Sequence, residues 1–318
     1  MLNAEAIRQA HARIKPMIRC TPIEPGRGLC AAETEFILKL ENTQLTGSFK
    51  LRGAAHALMC LDREQRQRGV VAASTGNHGA GVSFAAHHLK IPAQIFVPKT
   101  LPASKLRTIE HFGAEIIRHG DDCVESESAA RVFAAETGRM FISPYNDEAV
   151  IAGQGTVALE LFEQSAPLDA IVVAVGGGGL IGGIGTYFKA VSPETQIVAV
   201  SPANSCVMHR SLEAGQLVTQ VAKETLSDST AGGIEANSVT FALCQQVIDR
   251  SLLVTEKEIS DALRLTVARH RTLIEGAAAA AVAGAQKIAH EYAGGRIGII
   301  LCGANIPNDI LAGVLNAT

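Results

Sequence analysis

Ala170-Ile171-Val172-Val173-Ala174-Val175-Gly176-Gly177-Gly178-Gly179-Leu180 is the stretch on which the fold turns. An unbroken apolar run rich in β-branched residues reads as a strand buried on both faces, as in a parallel sheet. The glycines then allow a sharp turn, and the stretch from Leu180 opens a helix. The same strand-then-helix order recurs: Val70 to Ala73 before Gly79 to Leu89, Ala93 to Val97 before Ala103 to Phe112, and Glu115 to Arg118 before Cys123 to Glu136. It resumes with Ile197 to Ser201 before Cys206 to Glu213, and Ile297 to Cys302 before a last helix from Asn308. Such alternation predicts an α/β fold built on open, doubly wound parallel sheets covered by helices. Turn chemistry at Arg66 to Gly69 and at Ser143-Pro144-Tyr145-Asn146 predicts a hand-over between two sheets. A smaller domain, residues 69–146, is expected to be inserted in a larger one made of residues 1–68 plus 147–318. Ligands of such sheets sit at the carboxyl ends of the strands, so the loops after Ala73, Val175 and Leu301 should converge.

Composition narrows the partner. Lys plus Arg number 28 against 31 Asp plus Glu over 318 residues, a net charge of −3 that leaves no footprint for nucleic acid or an anionic membrane. A small molecule is the expected partner. Seven scattered cysteines without a C-x-x-C pair argue against a disulfide framework and a structural zinc site, and point to the cytoplasm. Charges in Met1 to Arg8 stand where a signal peptide would carry its apolar core. Ala170 to Phe188 is uncharged and nearly long enough to span a bilayer, but its glycines suit a strand, a loop and a helix better.

Three loops carry chemistry. Gly176 to Gly179 expose backbone N–H groups at a helix start, which suits a phosphate held without a cationic side chain. Gly177, Gly179 and Gly182 also spell G-x-G-x-x-G, so a nicotinamide dinucleotide is the rival ligand, although this loop lies mid-chain and Glu194 falls beyond a helix. Ser74-Thr75-Gly76-Asn77-His78-Gly79 offers hydroxyls, an amide and backbone donors to a carboxylate or a phenolic oxygen. The run Glu41-Asn42-Thr43-Gln44-Leu45-Thr46-Gly47-Ser48-Phe49-Lys50 ends on an amine beside an aromatic, where a desolvated lysine becomes a nucleophile toward carbonyls. Cys302-Gly303-Ala304-Asn305 ends the last strand. No spacing suggests a metal centre or a serine-hydrolase elbow.

Taken together, these segments resemble the fold-type II pyridoxal phosphate enzymes, with a tryptophan synthase β-like architecture, in their threonine/serine dehydratase and serine racemase branch. Thr46 to Ala54 is similar to that family's cofactor-lysine motif, Ser74 to Gly79 to its asparagine loop, Gly176 to Gly179 to its phosphate loop, and Ala152 to Thr156 to a segment between its domains. The resemblance implies pyridoxal 5'-phosphate bound to Lys50, with Phe49 beside the ring and Asn77 on the phenolic oxygen. It places the phosphate on Gly176, Gly177, Gly178, Gly179 and Leu180, and Cys302 at the pyridine nitrogen. The substrate carboxylate goes to the backbone and hydroxyls of Ser74, Thr75, Asn77 and His78, the His78 ring being a packed or capping one, with Lys50 and Thr75 as the catalytic pair on opposite faces.

The implied reaction is β-elimination from a 3-hydroxy L-amino acid, giving a 2-oxo acid and ammonia. A homodimer is implied as well, and the absence of an extra C-terminal domain implies no feedback regulation. Three segments depart from the family pattern. Ser201 to Val207 lacks the acids that bind a divalent cation, so no metal is expected. Thr75 stands where racemases carry serine, which disfavours racemization. Leu226 to Gly233 replaces the usual Ala-Asp-Gly stretch, which opens the substrate to 3-hydroxyaspartate, phenylserine or a hydroxyectoine-derived compound.

Overall fold

A computed structural model describes residues 2–30, 33–101, 106 and 109–316. The strands are β1 (Ile23–Pro25), β2 (Glu35–Lys39), β3 (Val70–Ala73), β4 (Ala93–Val97), β5 (Glu115–Arg118), β6 (Met140–Phe141), β7 (Ala170–Ala174), β8 (Gln196–Pro202), β9 (Arg250–Val254) and β10 (Arg296–Ile300). They form a six-stranded sheet, ordered β1-β2-β10-β7-β8-β9, and a four-stranded sheet, ordered β5-β4-β3-β6. Every strand pair is parallel except β1 with β2. At that edge the chain between the two strands is too short for a helical crossover, so β2 returns antiparallel.

The helices are α1 (Ala4–Ile14), α2 (Lys50–Cys60), α3 (Arg63–Arg68), α4 (Asn77–Leu89), α5 (Cys123–Thr137), α6 (Glu148–Gln164), α7 (Gly179–Val191), α8 (Val207–Ala214), α9 (Val239–Val247), α10 (Glu256–His270), α11 (Gly276–Ile288) and α12 (Asn308–Asn316). Most of the expected helix Ala103 to Phe112 lies outside the described residues, although Leu106, Ile109 and Glu110 are helical. Ala170 to Phe188 is indeed β7, a loop and most of α7, and no helix among the described residues is long and apolar enough to cross a membrane. Arg63 to Arg68 is a short helix in its own right, because Asp62 and Gln65 cap each other's backbone reciprocally.

The large core fills both faces of the six-stranded sheet. Every residue of β7 is buried, and Ala277 to Ala281 bring α11 so close that a Cβ on Gly284 would lie 2.3 Å from Val200. A second core joins β3 and β4 to α4, and it also takes Leu51, Ala54 and Leu58 from α2 and Val150 from α6. Helices α2 and α6 cross at glycines: a Cβ on Gly153 would meet the Arg52 carbonyl at 2.5 Å.

Beside that crossing lies a buried ionic cluster. Arg52 on α2 donates to both oxygens of Glu41 at 2.7 and 2.8 Å and to both oxygens of Glu160 on α6 at 2.7 Å. Lys39 at the end of β2 adds 2.7 Å to Glu160 and 2.6 Å to the Thr21 carbonyl. These contacts pin the first turn of α2, and therefore Lys50, to the six-stranded sheet.

Candidate active site

The sheet order reverses direction at β7, since β8 and β9 lie on one side and β10 on the other. A cavity of about 50 Å³ opens at the carboxyl ends there. Its walls include Phe49 and Lys50 from the start of α2, Asn77 from the start of α4, Gly176 to Ile181 after β7, and Cys302 after β10. The three expected loops do converge. Tyr145, Ser229, Thr230 and Glu275 also line it; Ser229 and Thr230 belong to the Leu226 to Gly233 segment expected to bear on the substrate, whereas Tyr145 and Glu275 were not expected there.

Three glycines of the cup answer three different neighbours. A Cβ on Gly176 would meet the Thr230 backbone at 2.9 Å, one on Gly177 the Tyr145 ring at 2.4 Å, and one on Gly178 the Cys244 sulfur at 2.7 Å. Gly178 also holds φ +86°, a left-handed conformation that glycine adopts without strain. It is the N-cap of α7, and no side chain caps that helix, so the first-turn N–H groups stay available to an anion. The third glycine of the rival G-x-G-x-x-G pattern, Gly182, is explained by packing, since a Cβ there would sit 2.8 Å from Leu243. Gly177→Ala should therefore displace the Tyr145 ring at a cost of about 1–3 kcal/mol and weaken cofactor binding about 10–100-fold. Titrating the apoenzyme with cofactor measures the change.

The Lys50 amine donates to the Pro144 carbonyl at 2.7 Å and lies 5.2 Å from the centre of the Phe49 ring. Burial lowers its pKa to about 8, against the opposing pull of Cys302 and Glu275. Near neutral pH a useful fraction is the free amine, which a nucleophile or base requires. Asn77 accepts from Asn305 at 2.5 Å through Oδ1 and donates from Nδ2 to Glu275 at 2.8 Å. Ser229 donates to the other Glu275 oxygen at 2.8 Å, and the Cys302 sulfur lies 3.9 Å from that oxygen. Burial raises the Glu275 pKa, partly offset by the Asn77 and Ser229 hydrogen bonds, and burial together with Glu275 keeps Cys302 a thiol.

The Ser74 to His78 loop divides its residues. Asn77 faces the cavity, whereas the side chains of Ser74, Thr75 and His78 are not among its walls. Ser74 Oγ accepts from Gly76 N–H at 3.2 Å. The His78 ring turns inward, with Nε2 donating to the Ile142 carbonyl at 2.8 Å, and burial with the nearby Lys50 charge lowers its pKa to about 3. What His78 can offer a ligand is its backbone N–H, because Gly76 caps α4 without a side chain. Among the described residues no group of three or more His, Cys, Asp and Glu side chains could hold a metal ion.

An amine of lowered pKa, an uncapped helix start, an amide and a neutral thiol around one cavity form a chemically suitable set for pyridoxal phosphate. The family model described as "Pyridoxal-phosphate dependent enzyme" matches residues 14–303. The chain belongs to that family. A pyridoxal phosphate enzyme of this kind is similar over 99% of its length to the L-threonine ammonia-lyase of Thermotoga maritima, at 36% identity and covering 79% of that protein. It is 35% identical to the β-hydroxyaspartate dehydratase of Paracoccus denitrificans, over 96% of this chain and 97% of that one. Among solved structures, maize serine racemase superimposes with a TM-score of 0.92 at 33% identity, covering 98% of this chain and 96% of that one. Glu275 was missed because a lone acid ahead of an alanine-rich helix reads as a cap, and Tyr145 because its segment reads only as a turn.

Proposed function

We propose that the chain is a pyridoxal phosphate-dependent ammonia-lyase that removes the β-hydroxyl of a threonine- or serine-type amino acid. The observation that carries this reading is the convergence of Lys50, Asn77, Gly176 to Gly179 and Cys302 on one cavity at the reversal of sheet order. Bound there, pyridoxal phosphate supplies an electron sink for the pair left at the substrate Cα. The backbone N–H groups at the start of α4 hold the substrate carboxylate at a helix N-terminus. Lys50, freed as an amine, takes the Cα proton at Nζ, and the β-hydroxyl then leaves. The released enamine hydrolyses to a 2-oxo acid and ammonia. Thr75 is the residue we assign to the opposite face, and we assign the phosphate to the N–H groups from Gly176 to Leu180.

The cavity wall also favours a neutral substrate. Among the described residues its only cation is Lys50, while Glu275 is buried in the wall and acidic. A second carboxylate, as in 3-hydroxyaspartate, would meet no counter-charge and would be repelled. Measuring 2-oxo acid release and product chirality with threonine, serine, phenylserine and 3-hydroxyaspartate tests this. Threonine or serine should turn over at least about tenfold faster than 3-hydroxyaspartate, the size of one uncompensated charge contact in a wet site. Turnover of none of them would sink the reading. The same proposal takes residues 69–146 as the small domain and the active form as a cytoplasmic homodimer, the latter checked by sedimentation.

A further inference from the structure

We propose that Tyr145 is a positioning residue that holds the Pro144 carbonyl against the Lys50 amine. Residues 143–146 connect β6 to α6, and no regular ladder holds this short connection in place. It is fixed instead by side chains. Ser143 Oγ accepts from the Asn146 N–H at 3.0 Å, which tightens the turn. The Tyr145 ring lies flat enough on the cup that only glycine fits at position 177, and the backbone of Tyr145 crowds Gly179 in the same way. Its hydroxyl accepts the Glu235 N–H at 3.0 Å. Asn146 completes the anchor, donating to the Glu235 carboxylate at 3.0 Å and accepting from the Val239 N–H at 2.9 Å. Arg131 on α5 pairs with the same carboxylate at 3.0 Å.

Pro144 lies between these anchors, and its carbonyl receives the Lys50 ammonium at 2.7 Å. A carbonyl aimed at an ammonium favours the protonated amine and fixes its direction. Tyr145 thus acts on Lys50 through one backbone oxygen. The other groups that bear on the amine are Cys302 after β10, Glu275 at the start of α11 and the neutral ring of His78 on α4. None of these is held by Tyr145. Removing the phenolic oxygen while keeping the ring should loosen the carbonyl without opening the cup.

This inference rests on Lys50 being the cofactor's attachment point, and the test separates the two. Apoenzyme is mixed with pyridoxal phosphate across a pH series, and the rate of appearance of the visible band is recorded. The wild-type rate should rise through about pH 8, because only the unprotonated amine attacks the aldehyde. Tyr145→Phe should move that midpoint down by about half a unit, a rate about threefold higher below the midpoint. Asn146→Ala, which frees the same segment by another route, should move it in the same direction. Two folded variants with the wild-type midpoint would overturn the positioning role and leave Lys50 in place. A wild-type rate without any pH step would overturn both.

Discussion

Lys50→Ala should lower 2-oxo acid release by at least about 10⁴-fold, because it deletes both the covalent attachment point and the general base. Borohydride followed by denaturation should leave the cofactor on wild-type protein and none on the variant. The fold should survive. Lys50 opens α2, where alanine is a good helix former, and the hydrogen bond lost is the single one to the Pro144 carbonyl. A variant that turned over at the wild-type rate would remove Lys50 from the chemistry.

Arg52→Ala should destabilise the native state by about 3–5 kcal/mol, read as a lower urea midpoint with an unchanged slope. The side chain is fully buried and serves Glu41 and Glu160 together, so its loss takes the guanidinium from buried Glu41 and leaves Glu160 to Lys39 and His11. Burial by itself would raise the Glu160 pKa, but hydrogen bonds from His11 and Arg52 and the charges of Arg52 and Lys39 hold it well below the usual carboxylate range. A depressed native pKa contributes stability above the unfolded value, near pH 4.3, and loses it as the pH falls toward the native value. Wild-type stability should therefore decline on acidification below about pH 4, and Arg52→Ala should show less of that decline. Equal destabilisation of Lys50→Ala and Arg52→Ala would contradict the division between a chemical and a structural role two residues apart.

Much of the fold was legible because parallel strands are buried on both faces and so appear as apolar runs. Val70 to Ala73 and Ala93 to Val97 coincide with β3 and β4, and Glu115 to Arg118 coincides with β5, a half-exposed edge strand legible from its Ile116-Ile117 pair before a helix. Strands β1, β2, β6 and β9 escaped notice, since each offers at most a brief apolar run, such as Phe36-Ile37-Leu38 or Leu252-Leu253-Val254. The glycine cup was legible for a related reason: consecutive glycines leave backbone donors unobstructed. Its individual glycines were not, because the ring above Gly177 and the sulfur beside Gly178 come from residues 145 and 244.

By itself the sequence determined the class of sheet, the anion-binding turn and the amine, since each is written in local pattern or in the backbone freedom of a short segment. Only the tertiary structure decided which carbonyl the His78 ring meets, that Glu275 bridges Asn77, Ser229 and Cys302, and that the Pro144 carbonyl accepts a hydrogen bond from Lys50. Such contacts join residues far apart in the chain. Hydrogen bonds and desolvation act over a few ångströms of space, and no spacing in the sequence records which loops will share them.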